Sequence, residues 1–248
     1  MMNKQSIKFF ADDIFILMMV PGLDFIRLFF ETYKNKPNPP ALILKTSMVT
    51  SSILDRNRIL SNIEKIKNDV KGTLPNIYLL HGDLTDEEMN ELYNNSKVKA
   101  MISLTKGEGF GRPLLEFSLI NKPIIASAWS GQIDFLDREL SILVGGELKP
   151  LHKSSVQEEV LVEGSSWFFP YDNHAMAAMK EVQKNYDKYR VNAKKLGYKN
   201  RTNFSFEKMK EALNEILTNH VPVFPKQIEL MLPKLNLPKL KKIENDKG

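Results

Sequence analysis

The sequence predicts an α/β protein built on a doubly wound parallel sheet of Rossmann-like type, and three observations predict it. Short apolar runs alternate with segments of helical period through the first half of the chain. The runs are continuous in apolar character, as strands covered on both faces require. Glycine, proline or asparagine stands between most runs and the helices that follow them.

The elements follow in order. "IFILMMV", Ile14 to Val20, is the first strand, stopped by Pro21-Gly22; Phe25, Leu28, Phe29 and Tyr33 then share one helix face. "NKPNPP" is a loop, and "ALILK", Ala41 to Lys45, is the second strand. Ile59, Ile63, Ile66 and Val70 recur at helical spacing, and "NIYLLHG" is the third strand. Thr85 with Glu88 three residues later forms a capping box that opens the next helix. "VKAMISL", the helix "RPLLEFSLIN" and the strand "KPIIASA" complete five strands. Beyond Asp137 an irregular excursion with one or two short strands is expected. Two carboxyl-terminal helices follow, one carrying Ala175, Met179, Val182 and Tyr186, the other Met209, Ala212, Leu213 and Ile216. The tail repeats "LPKL" at Leu232–Leu235 and Leu237–Leu240, and prolines at that spacing predict an extended arm. This divides the chain into a Rossmann-like domain over 1–217 and a Pro/Lys-rich tail over 218–248.

The 248 residues suffice for a substantial core, and 42% hydrophobic with 26% charged residues predicts a soluble globular chain. There is no cysteine, which excludes disulfides, zinc–thiolate sites and thiol nucleophiles and fits a reducing compartment. The four histidines show no metal-ligand spacing. Of the net charge of +5, the tail from Pro225 carries +3, six lysines against three acids, so no basic face for nucleic acid is expected. The seven apolar residues from Ile14 are too few to span a membrane, and the acids before them do not suit a signal peptide. A cytoplasmic location is the resulting expectation.

The chemistry concentrates in "TKGEGFGRPLLEF". Gly107, Gly109 and Gly111 permit backbone conformations and close approaches that a side chain would block. Pro113 suits a first helical turn whose free N–H groups face the loop, and together these form an anion cradle fit for a diphosphate. Glycines also serve plain turn geometry, so the two acids decide. Glu108 lies in the turn, and Glu116, eight residues on, sits among Leu114, Leu115, Phe117 and Leu119. A carboxylate buried there needs a partner, and the paired hydroxyls of a ribose would supply one.

"KGEGFGRPLLEFSLINKPIIASAWSGQIDFL" resembles the E-x7-E segment of retaining GT-B glycosyltransferases, which move sugars from nucleotide-sugar donors. "NIYLLHGDLTDEEMNELYNNSKVKAMIS" is similar to what precedes that motif in the family. The likeness covers roughly residues 14–217, the carboxyl-terminal, donor-binding domain. It implies that Glu116 holds ribose hydroxyls and Glu108 the hydroxyls of the transferred sugar. Backbone N–H groups of Phe110, Gly111 and Arg112 would face the sugar and diphosphate, and Gly107 and Gly109 complete the donor loop. His81 and Gly82 would edge the base. No metal and no cofactor is expected beyond the nucleotide-sugar itself, with retention of configuration.

Two departures stand out. The arginine and lysine that the family places after the first strand are missing from "MMVPGLDFI". Arg112, Lys106 and Lys45 are the candidate replacements at the diphosphate, Arg112 first among them. Nor does the chain leave room for the amino-terminal GT-B domain that binds the acceptor. The alternatives are a fragment, a half-enzyme with a partner chain, or a nucleotide-sugar-binding or interaction module without turnover. Donor base, sugar and acceptor stay open.

Overall fold

The computed structural model describes residues 15–19, 23–46, 51–155 and 161–222. Six strands form one parallel sheet: β1 (Phe15–Met19), β2 (Ala41–Lys45), β3 (Ile77–Leu80), β4 (Val98–Ser103), β5 (Ile124–Ser127) and β6 (Ile142–Val144), in the order β3-β2-β1-β4-β5-β6. This is the doubly wound topology, with its strand order reversing between β1 and β4.

Alternation along the strands decides which helices cover which face. Leu42, Leu44, Ala100, Ile102, Ile125 and Val144 point to a core shared with α1 (Leu23–Tyr33), α2 (Ile53–Asp69) and α5 (Asp172–Lys184). Ala41, Ile43, Met101, Ile124 and Ala126 point the other way, onto α3 (Asp86–Asn94), α4 (Arg112–Ser118) and α6 (Tyr186–Asn203). Burying each large apolar side chain contributes about 1.5–3 kcal/mol, so both layers are held mainly by these contacts. In α1 the rings of Phe25, Phe29 and Tyr33 stack along one stripe, with centroids 6.4 and 5.1 Å apart. The capping box of α3 forms as expected: Glu88 N–H donates to Thr85 Oγ1, and Thr85 N–H donates to Glu88 Oε2.

The structure corrects the sequence reading in the second half. The excursion holds three strands rather than one or two. β6 completes the main sheet, while β7 (Gly146–Pro150) and β8 (Ser166–Pro170) form a separate antiparallel hairpin. The expected helix over "RPLLEFSLIN" is regular only to Ser118 and ends in tight turns to Asn121, whose φ is +62°. Three helices, not two, lie beyond the hairpin. Tyr186 opens α6 instead of extending α5.

Helix α6 buries Ala193, Leu196, Gly197 and Asn200 rather than an apolar stripe. A methyl on Gly197 would lie 2.5 Å from Asn121 Oδ1 and 2.8 Å from Ser118 O, so only glycine lets the helix come this close. Asn200 Nδ2 donates to Ser118 Oγ at 2.8 Å, and Arg201 donates to the carbonyl of Leu119. The end of α4 is thereby clamped, and α4 carries Glu116.

The chain divides into two units, Met1–Lys208 and Met209–Gly248. The described part of the second belongs mainly to α7 (Phe206–His220), in which no residue is buried. The expected tail begins instead within a helix, since 218–220 belong to α7, while its LPKL repeats and the Pro21-Gly22 stop lie outside the described residues. No described helix is long and apolar enough to cross a membrane.

Candidate donor site at the carboxyl ends of the strands

The glycine loop leaves β4 at the point where the strand order reverses, the usual ligand crevice of such sheets. It is fixed by hydrogen bonds from the neighbouring connections. Ser127 Oγ donates to Thr105 O at 2.8 Å, and Phe168 N–H donates to Lys106 O at 2.9 Å. Ser130 Oγ accepts the Glu108 N–H at 3.0 Å and donates to the Glu108 carbonyl at 2.6 Å. Gly131 N–H donates to that same carbonyl at 3.0 Å. Beneath the loop Gln132 is wholly buried, its Nε2 donating to Ser127 O at 3.0 Å. Phe110, half exposed, leans on Phe135 and Phe204, with ring centroids 5.3 and 6.2 Å away.

The three glycines differ in purpose. Only Gly111 has a positive φ, +90°, as the residue that turns the chain into α4. Gly107 and Gly109 have ordinary φ and nothing within 4 Å of an added Cβ, so their bareness leaves open ground beside Glu108. The tight approach instead belongs to Gly131, where a Cβ would meet Gly109 O at 2.2 Å. Ser130 and Gly131 thus clamp the loop, a role the sequence did not reveal; the "SGQ" triplet after β5 was its one visible trace.

Glu108 is partly buried, and its carboxylate makes no hydrogen bond or ion pair among the described residues. Glu116 differs from expectation. It is not a lone carboxylate in the core, because its side chain is 40% exposed and Oε1 accepts from Arg112 Nε at 2.6 Å. Leu114, Phe117 and Ser118 form the buried face of α4, while positions 112 and 116 share the outer one. The pairing raises the guanidinium pKa, and the carboxylate's charge adds to burial in raising that of the Tyr93 phenol.

A groove of about 320 Å³ brings Glu116 and Arg112 together with Lys45, Tyr93 and Asp83. Lys45 Nζ donates to the Gly82 carbonyl at 2.6 Å, tying the end of β2 to the turn after β3. His81 Nε2 is enclosed there with no partner among the described residues, and Gly82 has a φ of +104° with open space about it. Lys106 does not join this group. Its ammonium lies over Trp167 and Phe169 of β8, 4.4 and 4.9 Å from the ring centroids. The aromatic hairpin and the acids Asp24 and Asp172 beside it were missed in the sequence. Among the described residues there is no group of three or more His, Asp or Glu placed to hold a metal ion.

No protein-family model and no curated protein matches the chain. Solved structures do. Anabaena Alr3699/HepE, crystallised with UDP and glucose, superposes with a TM-score of 0.58 at 12% identity over 84% of this chain and 49% of its own. A glycosyltransferase from Rickettsia africae gives 0.58 at 17% identity, with the same coverages of 84% and 49%. The carboxyl-terminal domain of the group 1 glycosyl transferase LpcC from Francisella tularensis gives 0.50 at 15% identity, over 76% of this chain and 84% of that domain. The chain thus spans about half the length of the full-length glycosyltransferases it resembles. It has the fold of the carboxyl-terminal half of a group 1 GT-B glycosyltransferase.

Proposed function

We propose that this chain is the nucleotide-sugar-binding half of a glycosyltransferase. The observation that carries the proposal is Glu108: an acid without a partner among the described residues, held by the Ser130 clamp beside the bare backbone of Gly107 and Gly109, at the crevice where ligands of this fold bind. HepE, which shares the fold, was crystallised with UDP-glucose, and a uridine diphosphate sugar is the first donor to test.

In this assignment the nucleoside lies in the Glu116 groove, with His81 and Gly82 at the base. The ribose hydroxyls donate to Glu116 and displace Arg112. An exposed ion pair contributes only about 0–1 kcal/mol, so the exchange costs little. The released guanidinium then serves the diphosphate, with Lys45 nearby and the N–H groups of Phe110 and Gly111 completing the cradle. Glu108 accepts from the hydroxyls of the sugar being transferred. As the bond to the diphosphate breaks, negative charge grows on the leaving group, where fixed donors act most strongly. Transfer proceeds with retention and without a divalent metal, so chelation leaves it unchanged.

One observation favours binding without turnover: every candidate cation is already engaged, Lys45 with a carbonyl, Arg112 with Glu116 and Lys106 with two rings. Incubation with UDP-glucose separates the alternatives. Release of UDP above a Glu108→Gln control supports an enzyme, and calorimetric binding without release supports a module. Absence of both rejects the donor site.

A further inference from the structure

Helix α6 concentrates positive charge. It carries six cations, Lys188, Arg190, Lys194, Lys195, Lys199 and Arg201, against the one acid Asp187, a surplus equal to the net +5 of the whole chain. The lysines of the tail are offset by acids elsewhere, so this concentration is hidden in the overall count. All six cations are exposed, because the inner face of the helix is filled by Ala193, Leu196, Gly197 and Asn200. The helical period divides the outside into a centre and two flanks. Val191, Lys194, Lys195 and Tyr198 run along the centre at spacings of three and four, with Arg190 and Arg201 on one flank and Lys188 and Lys199 on the other. Val191 is 54% and Tyr198 74% exposed, so apolar surface stands in water between the charges. Lys199 pairs with Asp137, and Arg201 donates to the carbonyl of Leu119. Arg190, Lys194 and Lys195 are in no ion pair among the described residues.

We infer that the outer face of α6 docks this protein on an anionic lipid bilayer, with the helix lying flat against the headgroups. Its 18 residues present a cationic strip about 27 Å long. Each basic side chain near such a surface strengthens partitioning by about fivefold, within a Debye length of the charge. Val191 and the Tyr198 ring then reach the headgroup zone, where an aromatic with a polar tip is at home. A nucleic acid or an acidic protein would match the charges and leave the apolar centre without a counterpart. Base edges, moreover, are read by free amides and hydroxyls, whereas Asn192 and Thr202 of α6 donate to the carbonyls of Glu139 and Tyr198. Docking needs no unfolding, because the opposite face keeps its bonds to Ser118 and Leu119. That packed face is the one turned to α4, so the membrane face is independent of the proposed donor groove.

The test is sedimentation of the full chain with phosphatidylcholine vesicles, with and without phosphatidylglycerol, at about 0.1 M salt and again at about 1 M, where the Debye length falls to about 3 Å. The protein should sediment with the phosphatidylglycerol vesicles alone and be released at the higher salt. Arg190→Gln, Lys194→Gln and Lys195→Gln together should lower partitioning by about tenfold or more, and Tyr198→Ser by a few-fold, with thermal unfolding unchanged because all four side chains are exposed. Lys241→Gln with Lys242→Gln, in the tail, should leave partitioning within about twofold. Absence of vesicle binding overturns the inference, as does equal binding to both vesicle types. So does a triple variant that partitions like the parent, or partitioning that only the tail substitutions reduce. Capture of a short single-stranded RNA in preference to the phosphatidylglycerol vesicles would overturn it in favour of nucleic acid.

Discussion

Ser130 and Glu108 hold one another through the backbone: a single hydroxyl accepts from the Glu108 N–H and donates to the Glu108 carbonyl. Ser130 makes these bonds from a left-handed conformation, with φ at +77°. Such a conformation costs a non-glycine residue about 1–3 kcal/mol and persists where surrounding contacts over-determine it. Strain is therefore stored at the residue that fixes the unpartnered carboxylate, which links a backbone anomaly directly to the proposed sugar contact.

Removing that hydroxyl tests the link. Ser130→Ala loses both bonds and keeps the strained backbone, so we expect a stability loss of about 1–2 kcal/mol in urea unfolding. UDP-glucose turnover, or its affinity relative to UDP, should fall by about tenfold as Glu108 loosens. UDP affinity itself should stay level. A loss of UDP and UDP-glucose binding in equal measure would place the clamp's effect elsewhere.

The glycines give a sharper contrast. Gly131→Ala drives a methyl to 2.2 Å from Gly109 O, which the backbone can relieve only by moving the loop. We expect a cost of about 2–4 kcal/mol and loss of sugar-dependent binding. Gly107→Ala and Gly109→Ala meet nothing within 4 Å and should unfold within about 0.5 kcal/mol of the parent. If either still weakens UDP-glucose binding, the open ground beside Glu108 is occupied by donor.

Much of this architecture was legible because packing and period agree. β2, β4 and β5 announce themselves as runs buried on both faces, and Thr85 with Glu88 marks the start of α3. β6 has three residues inside a loop-like stretch, too few for a periodic signal. α6 was hidden because its inner face is made of Ala193, Gly197 and Asn200 with a single leucine, Leu196, and is fastened by hydrogen bonds. Glu116 looked buried because its sequence neighbours are apolar. On a helix, however, one step along the chain turns to a different face, and Glu116 lies above Arg112 instead. The loop was legible as a site, whereas the Ser130 clamp and the aromatic hairpin of Trp167 depend on pairings made only in three dimensions.

The exposure of the Glu116–Arg112 pair makes its two members separable. Glu116→Ala should leave stability within about 1 kcal/mol, as for exposed pairs. The same change should weaken UDP by about tenfold or more through lost ribose hydrogen bonds. Arg112→Ala has two opposed effects, freeing Glu116 for the ribose and removing a diphosphate cation. It should therefore weaken UDP more than uridine, measured by calorimetry at low salt. Equal UDP affinity for Glu116→Ala and the parent would remove the ribose role.

Lys122, in the turn between α4 and β5, makes stability depend on pH. Its ammonium donates to the carbonyls of Tyr93 and Asn95 and so caps α3, which has no basic residue in its last turn. Burial, with Lys99 and Arg190 nearby, lowers its pKa from 10.5 to about 8. Between those values the unfolded chain holds a proton that the folded chain has released, so stability rises with pH through this window. The buried phenols act oppositely. Burial raises the pKa of Tyr33 and Tyr93, so the unfolded chain loses their protons first and stability falls above about pH 10. Urea unfolding at successive pH values should therefore show stability climbing from about pH 8 and turning over near pH 10. Lys122→Met should flatten the climb and leave the fall. An unchanged slope in that variant would mean that another group releases the proton on folding.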